Sequence, residues 1–184
     1  MKPAWPIETE RITLRPFADG DFDTFHAIHS DPEVTRWLYN EPRDSEETRA
    51  LLGRKIAGSV LHAEGDWLSA AVVLRESGEL VGDLALNWIS EVHRTCEVGF
   101  IFDPRHQGRG YATEAARAFL RVAFDDFGMH RVIGRCEARN AGSARVLEKL
   151  GLRLEAHLVE NEWVKGEWQS ELVFALLDRE WLAV

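Results

Sequence analysis

Cysteine is scarce in this chain: Cys96 and Cys136 are the only thiols among 184 residues. That count excludes a disulfide-framed secreted fold, because such folds use several bridges in place of a large core. Nowhere do apolar residues run for the eighteen or so positions that a bilayer-crossing helix requires. Internal repeats, Gly/Ser linkers and low-complexity tracts are also missing, so the elements are expected to share one core, a single domain over residues 1–184. The opening residues Met1-Lys2-Pro3-Ala4-Trp5-Pro6 lack the basic-then-apolar layout of a secretory signal, which makes a cytoplasmic setting with reduced thiols the expectation. Basic charge is in deficit as well, with 22 Lys and Arg against 31 Asp and Glu and a formal net charge of −9. Such a balance disfavours nucleic acid and anionic membrane as partners and mildly favours cationic ones, although plain solubility is the commoner cause.

Hydrophobic patterning divides the chain into short elements. Arg11 to Phe17 alternates, with Ile12 and Leu14 apolar between polar neighbours, and predicts a strand ending at a Pro16 and Gly20 turn. Asp21 stands as an N-cap before a short helical face of Phe22, Phe25, Ile28 and His29, which Asp31-Pro32 stops. A longer helix is predicted from Ser45-Glu46-Glu47 through Leu51, Leu52, Ile56, Val60 and Leu61, closed by Gly65-Asp66. Trp67 to Arg75 and Leu80 to Ile89 flank the hairpin signal Glu76-Ser77-Gly78-Glu79, and Glu97 to Phe102 extends the sheet up to Asp103-Pro104. A helix follows from about Gly108 to Phe127, then a buried strand from Arg131 to Cys136. The helix from Asn140 to Leu150 closes with Gly151 in the position after its cap, and two strands near Leu152 to Val164 and Trp168 to Leu177 join through Lys165-Gly166. This order predicts an α/β (α+β) fold, a mixed sheet with helices on both faces. A helix launched from a strand's carboxyl end opens a ligand crevice, which directs attention to residues 98–112.

Arg105-His106-Gln107-Gly108-Arg109-Gly110-Tyr111-Ala112 places two glycines and free backbone N–H groups at a helix start, behind an apolar strand. A helix N-terminus carries unpaired donors and about half a positive charge, which suits a pyrophosphate, and glycine lets its oxygens reach the backbone. The Gly-Lys-Ser/Thr of a Walker loop is missing, and Thr113 stands where a dinucleotide fingerprint needs Gly or Ala. The stretch resembles the acyl-CoA-binding motif of the GNAT superfamily of N-acetyltransferases, with Arg105, Gly108 and Gly110 matching. Glu97-Val98-Gly99-Phe100, Gly110-Tyr111-Ala112-Thr113-Glu114-Ala115, Asn140-Ala141-Gly142-Ser143 and Glu148-Lys149-Leu150-Gly151-Leu152 are similar to the subgroup of ribosomal-protein N-terminal acetyltransferases.

That resemblance covers nearly the whole chain and implies a mostly antiparallel sheet with a splayed central parallel strand pair. Acetyl-CoA is the implied co-substrate, with no metal. Its pantetheine arm would lie between Val98 to Phe102 and Arg131 to Cys136, along Phe100, Ile101 and Phe102, because its amides need backbone partners shielded from water. The implied cofactor-binding residues continue through Arg105, Gln107, Gly108, Arg109, Gly110, Tyr111, Ala112 and Thr113, and Asn140 would bond the arm. A tyrosine serves as the acid in many members of the superfamily, but Leu147 holds that position here. Ser143 matches the serine of the ribosomal-protein subgroup and is the candidate to bond the sulfur, the alternative being a plain helix-face hydroxyl. Glu162 matches the subgroup's catalytic glutamate, and Glu97 at a strand start is a second base candidate; either is also explained as a solvated strand-face acid.

Direct transfer needs a neutral amine, a polarised thioester carbonyl and a proton for the thiolate. An α-amine is roughly a tenth neutral at pH 7 and a lysine far less, so an N-terminal acceptor asks less of the enzyme. The first expectation is therefore transfer to a protein N-terminus. Alternatives are a small-molecule amine such as a polyamine, amino sugar or antibiotic, and a non-catalytic acyl-CoA-binding module. Acceptor choice is expected in the loops around residues 30–45 and 155–168, and the chain is expected to be a monomer or homodimer. His26 and His29 read as a surface helix pair rather than metal ligands, and His93, His106 and His130 fall at loops or strand edges. Tyr111 reads as packing or cofactor contact. Trp37, Trp88 and Trp163 are candidates to wall an acceptor groove, while both cysteines read as small buried hydrophobes.

Overall fold

The computed structural model describes residues 1–181. Its strands are β1 (Ile7–Glu8), β2 (Ile12–Arg15), β3 (Trp67–Leu74), β4 (Leu80–Ser90), β5 (Thr95–Phe102), β6 (Arg131–Glu137), β7 (Arg153–Val164) and β8 (Glu167–Leu177). They form one 8-stranded sheet in the order β1-β2-β3-β4-β5-β6-β8-β7. Every neighbouring pair is antiparallel except β5 with β6, so the predicted mixed, mostly antiparallel sheet is present. The helices are α1 (Phe22–His29), α2 (Pro32–Thr35), α3 (Ser45–Ala57), α4 (Tyr111–Arg121), α5 (Ala141–Lys149) and α6 (Asp178–Trp181), with α4 running on into a wider π turn over Val122–Asp126.

Alternation along β3 shows how the sheet is buried on both sides. Leu68, Ala70 and Val72 face α4 and α5 in a cluster with Leu84, Val98, Phe119 and Leu147, whereas Ala71 and Val73 face α1 and α3 with Phe25 and Leu52. Burial on both sides is why this strand reads as a continuous apolar run rather than an alternating one. Asp83 of β4 is buried under α1 and α3 at 3% exposure. Lys55 donates to it at 2.9 Å, and His29 Nε2 lies 3.5 Å away.

Several predicted boundaries shift for local reasons. Asp21 precedes α1 but makes no capping bond; its carboxylate instead accepts from Arg15 Nη1 and Nη2 at 2.8 and 2.6 Å and from the Ala18 N–H. Asp31-Pro32 ends α1 and also begins α2, where Asp31 Oδ1 accepts from the Glu33 N–H at 2.8 Å with Pro32 in the first turn. Asp44 caps α3, in a reciprocal box with Glu47. That helix ends at Ala57 rather than continuing through Leu61, because Gly58 passes so close to β3 that a Cβ there would lie 2.8 Å from the Trp67 carbonyl. Beyond it Leu61 enters the core from a loop, at 1% exposure. The short β1 was not anticipated. His29, expected at the surface, is 2% exposed.

Candidate functional site

The parallel strands part soon after they begin. β5 and β6 pair only from Thr95↔Arg131 to Glu97↔Ile133, after which β5 runs on to Phe102 and β6 to Glu137. The edge of β5 carrying Phe100, Ile101 and Phe102 is thereby left with no strand on that side, while β6 stays paired to β8 along its whole length. Backbone donors and acceptors on such an edge accept an extended ligand as a substitute strand. At the parting point Leu147 of α5, 1% exposed, lies against bare backbone: a Cβ on Gly134 would stand 2.4 Å from Leu147 Cδ2. The position at which the resemblance expects a tyrosine is thus occupied by a core contact.

Beyond β5 the chain turns through Asp103, whose carboxylate accepts from the Arg105 N–H at 2.8 Å and from its Nη2 at 2.6 Å. Gly108 and Gly110 follow in left-handed conformations, φ 75° and 84°. Gly110 caps α4, and Arg11 Nη1 donates to the Arg109 carbonyl at 3.0 Å. The N–H groups from Gly108 to Thr113 have no hydrogen-bond acceptor among the described residues; the first helical bond comes from Glu114 to the Gly110 carbonyl. This run of donors at the positive end of α4 forms an anion cradle, and a Cβ on Gly108 would meet nothing within 4 Å, so the space before it is open. The residues present fit a pyrophosphate. Arg109 is exposed beside the cradle, whereas the Arg105 guanidinium is already paired with Asp103. Gln107 Nε2 donates to the Phe102 carbonyl at 3.4 Å, and the Tyr111 ring carries the Arg11 guanidinium 4.8 Å from its centroid.

A separate cleft of about 140 Å³ opens on the opposite face of the sheet. Glu97 is adjacent to Val98, and Arg135 to Gly134, in strands where successive side chains alternate; both therefore point away from α4 and α5. Glu97, Arg135, Glu137, Glu162 and Glu171 line this cleft below Trp37, Leu38 and Tyr39. Arg135 Nε and Nη2 donate to both Glu97 oxygens at 3.0 and 2.9 Å. Glu137 accepts from Arg139 Nε and from the Arg139 backbone N–H, each at 2.7 Å. Glu162 owes its orientation to a register shift in β7 between Leu158 and Glu162, with Glu160 at φ 49°. The Tyr39 ring is exposed at the rim of the cleft, and burial of its hydroxyl end together with the Glu162 carboxylate holds it above the usual phenol pKa, hence protonated. Burial also pushes the Glu171 carboxyl above its ordinary value; Arg135 opposes this, and the charges of Glu162 and Glu97 add to it.

Not every expected site residue gathers in one place. Glu97 and Glu162 meet in the acidic cleft, whereas Ser143 sits half-buried in the first turn of α5, outside the lining of that cleft. Asn140 spends its side-chain oxygen capping α5, accepting from the Ser143 N–H at 3.1 Å, so only its amide nitrogen remains for a ligand. Trp37 lines the cleft; Trp88 packs into the core instead. Trp163 points to the other face from its neighbour Glu162 and stacks edge-on with Trp168, 5.3 Å between centroids. Sequence reasoning missed Tyr39, Arg135 and Glu171; the one available signal was the alternation of Gln169, Glu171 and Val173 along the last strand. His106 is buried, 3.8 Å from Asp103 and 3.5 Å from Glu79, and His130 pairs with Asp178 at 3.1 Å. Burial pushes the Cys96 thiol up to about 12 and the Cys136 thiol up to about 11, so both stay protonated.

Comparison with known proteins is consistent with this layout. The acetyltransferase (GNAT) domain family matches residues 11–153. The uncharacterized N-acetyltransferase YnaD of Bacillus subtilis is 30% identical over 95% of this chain and 98% of its own length. The spermidine N(1)-acetyltransferase of Vibrio cholerae is 25% identical over 94% of this chain and 96% of its own. A solved GNAT-family acetyltransferase from Bacillus anthracis superposes with a TM-score of 0.86 at 30% identity, covering 95% of this chain and 99% of that one.

Proposed function

The chain belongs to the GNAT acetyltransferase family, and from that premise we propose that it transfers the acetyl group of acetyl-CoA directly to a primary amine held in the acidic cleft. The observation that carries this reading is the gap between β5 and β6, which joins the anion cradle on one face to the carboxylate cleft on the other. In this reading the Gly108 to Thr113 amides hold the pyrophosphate, and the free edge from Phe100 to Phe102 pairs the pantetheine amides. Arg109 and the Asn140 amide nitrogen add polar contacts. Ser143 hydrogen-bonds the developing thiolate, and Glu162 carries away the proton lost by the acceptor ammonium. Glu97, with both oxygens on Arg135, shapes the cleft.

Two acceptor classes fit this chemistry. A protein N-terminal α-amine is supported by Ser143 and Glu162 standing where the ribosomal-protein subgroup has its serine and glutamate. A small polyamine is favoured by the cleft itself, which is compact, rich in carboxylates and shared in family terms with a spermidine N(1)-acetyltransferase. We take the polyamine as the better supported of the two, because four glutamates lining one cleft complement a polycation better than a singly charged N-terminus. Thiol release from acetyl-CoA with a panel of polyamines, amino sugars and Ala- or Ser-initiated peptides tests the reading. Turnover with spermidine and none with peptides is expected. Turnover with peptides alone reverses the acceptor assignment, and binding of acetyl-CoA without turnover by any amine leaves only an acyl-CoA-binding module.

A further inference from the structure

We propose that Glu171 is the base that first takes the proton from the acceptor's ammonium, a role that rests on the amine-acetyltransferase reading above. Four glutamates line the cleft, and their partners differ. Glu97 has both oxygens on the Arg135 guanidinium, and Glu137 has one oxygen on Arg139 Nε and the other on the Arg139 backbone N–H. A carboxylate held on both oxygens, one or both of them by a guanidinium, is a weak base, because protonation breaks a charge-assisted bond. Glu171 has no such clamp: its nearest cation is Arg135 Nη1, 3.7 Å away. It is 7% exposed, and in the register of the sheet it stands opposite Glu137. Tyr39, from the segment after α2, lines the same cleft as Glu171 and Glu162.

The groups facing Glu171 are therefore Tyr39, Glu97, Arg135, Cys136, Glu137 and Glu162, and Arg135 supplies the one positive charge among them. Burial raises its proton affinity most, Arg135 and Tyr39 oppose this without reversing it, and the charges of Glu162 and Glu97 add to the rise. The proton balance is complete. The ammonium N–H bond breaks, its proton goes to a Glu171 oxygen, and the freed lone pair forms the C–N bond at the thioester carbonyl. The C–S bond then breaks with its electron pair on sulfur. The second amine proton goes to the thiolate, giving amide and free thiol. Glu171 then gives up its proton to Glu162 in the same cleft, and so to solvent.

Glu171→Gln tests this, because it keeps the shape of the side chain and removes the base. Steady-state kinetics on the full chain with spermidine should show kcat/KM at pH 7 reduced by roughly a hundredfold or more, with acetyl-CoA affinity by calorimetry within about twofold of wild type. The acidic limb of the wild-type pH profile should give way to a rise that follows the free-amine fraction, and Glu171→Asp should restore part of the rate. Carbon-13 titration of the wild-type side chain should place the Glu171 carboxyl above the ordinary glutamate value, a readout independent of turnover. A Gln variant with unmoved pH profile and kcat/KM within about threefold of wild type overturns the assignment, as does an ordinary titration. Failure of the transferase reading looks different: wild type itself then binds acetyl-CoA and releases no thiol with any amine, and the assignment falls with it.

Discussion

A single methyl group added at Gly134 probes the point where the two parallel strands separate. A Cβ there would lie 2.4 Å from Leu147 Cδ2, 3.2 Å from Cδ1 and 3.4 Å from Cγ. Carbon atoms in good contact sit about 3.5–4.0 Å apart, so an overlap of about 1 Å has to be relieved. Leu147 is 1% exposed and packed within the main cluster, so it has no open space into which to swing. Overpacking of this kind costs about 1–3 kcal/mol, and the smaller entropy of an unfolded chain carrying Ala returns about 0.4–1 of that. Gly134→Ala should thus destabilise by about 1–2 kcal/mol, read as a lower urea midpoint at constant slope, or a Tm lower by about 2–8 °C. Leu147→Ala should cost about 2–5 kcal/mol by opening a cavity. In the double variant the new methyl occupies part of that cavity, and the loss should fall short of the sum by about 1–2 kcal/mol. A Gly134→Ala protein as stable as wild type, or additivity within about 0.5 kcal/mol, refutes the packing argument.

Gly108→Val forces a β-branched residue into a left-handed conformation and fills open space before the cradle, so acetyl-CoA affinity should fall more than about tenfold by calorimetry, while the fold loses no more than the about 1–2 kcal/mol of left-handed strain. Burial pushes the Asp83 carboxyl up, but Lys55 and His29 outweigh it and hold it below the usual aspartate value; its contribution is present above about pH 4 and is lost as pH falls through the depressed folded value. Asp83→Asn should cost about 3–5 kcal/mol at pH 7 and flatten the acid side of the stability profile, both measured by urea unfolding. Ser143→Ala should lower kcat by roughly ten- to a thousandfold at unchanged acetyl-CoA affinity, and Glu162→Gln should shift the acidic limb of the pH–rate profile; wild-type kcat in Ser143→Ala, with chemistry rate-limiting, removes Ser143 from the mechanism.

The cofactor side of the site was legible in the sequence because it is local. Gly108 and Gly110 at the start of an amphipathic helix, behind an apolar strand, carry their meaning in consecutive residues. Strand boundaries around the hairpin at Gly78 and the last two strands were equally accessible, since turn residues mark them. Features governed by contacts far apart in sequence were not. Gly58 ends α3 because β3 passes beside it, and His29 is buried because Asp83 lies across from it. Glu171 could not be distinguished from any other strand acid until the register set it opposite Glu137, in the cleft that Tyr39 also lines. Trp163 failed as a cleft wall for a reason of phase: the shift in β7 that turns Glu162 inward turns its neighbour outward.

The same division explains how the chain can do without a tyrosine at position 147. The proposed chemistry has two proton events, and the sheet separates them. Ammonium deprotonation falls to the carboxylates on the α1 and α3 side, where Glu171 and Glu162 line one cleft with Tyr39. Thiolate protonation falls on the α4 and α5 side, where Ser143 stands at the start of α5. A tetrahedral intermediate formed in the gap still carries a proton on its own nitrogen, and that proton can move to sulfur within the reacting group itself. The protein then has only to hold the sulfur charge for the moment of departure, which a hydroxyl and a helix start do through hydrogen bonding alone. A dedicated acid becomes dispensable, and position 147 is free to serve packing. Leu147 uses that freedom by closing onto Gly134, the first residue of β6 beyond its pairing with β5, so the residue that replaces the acid also fixes the geometry of the gap.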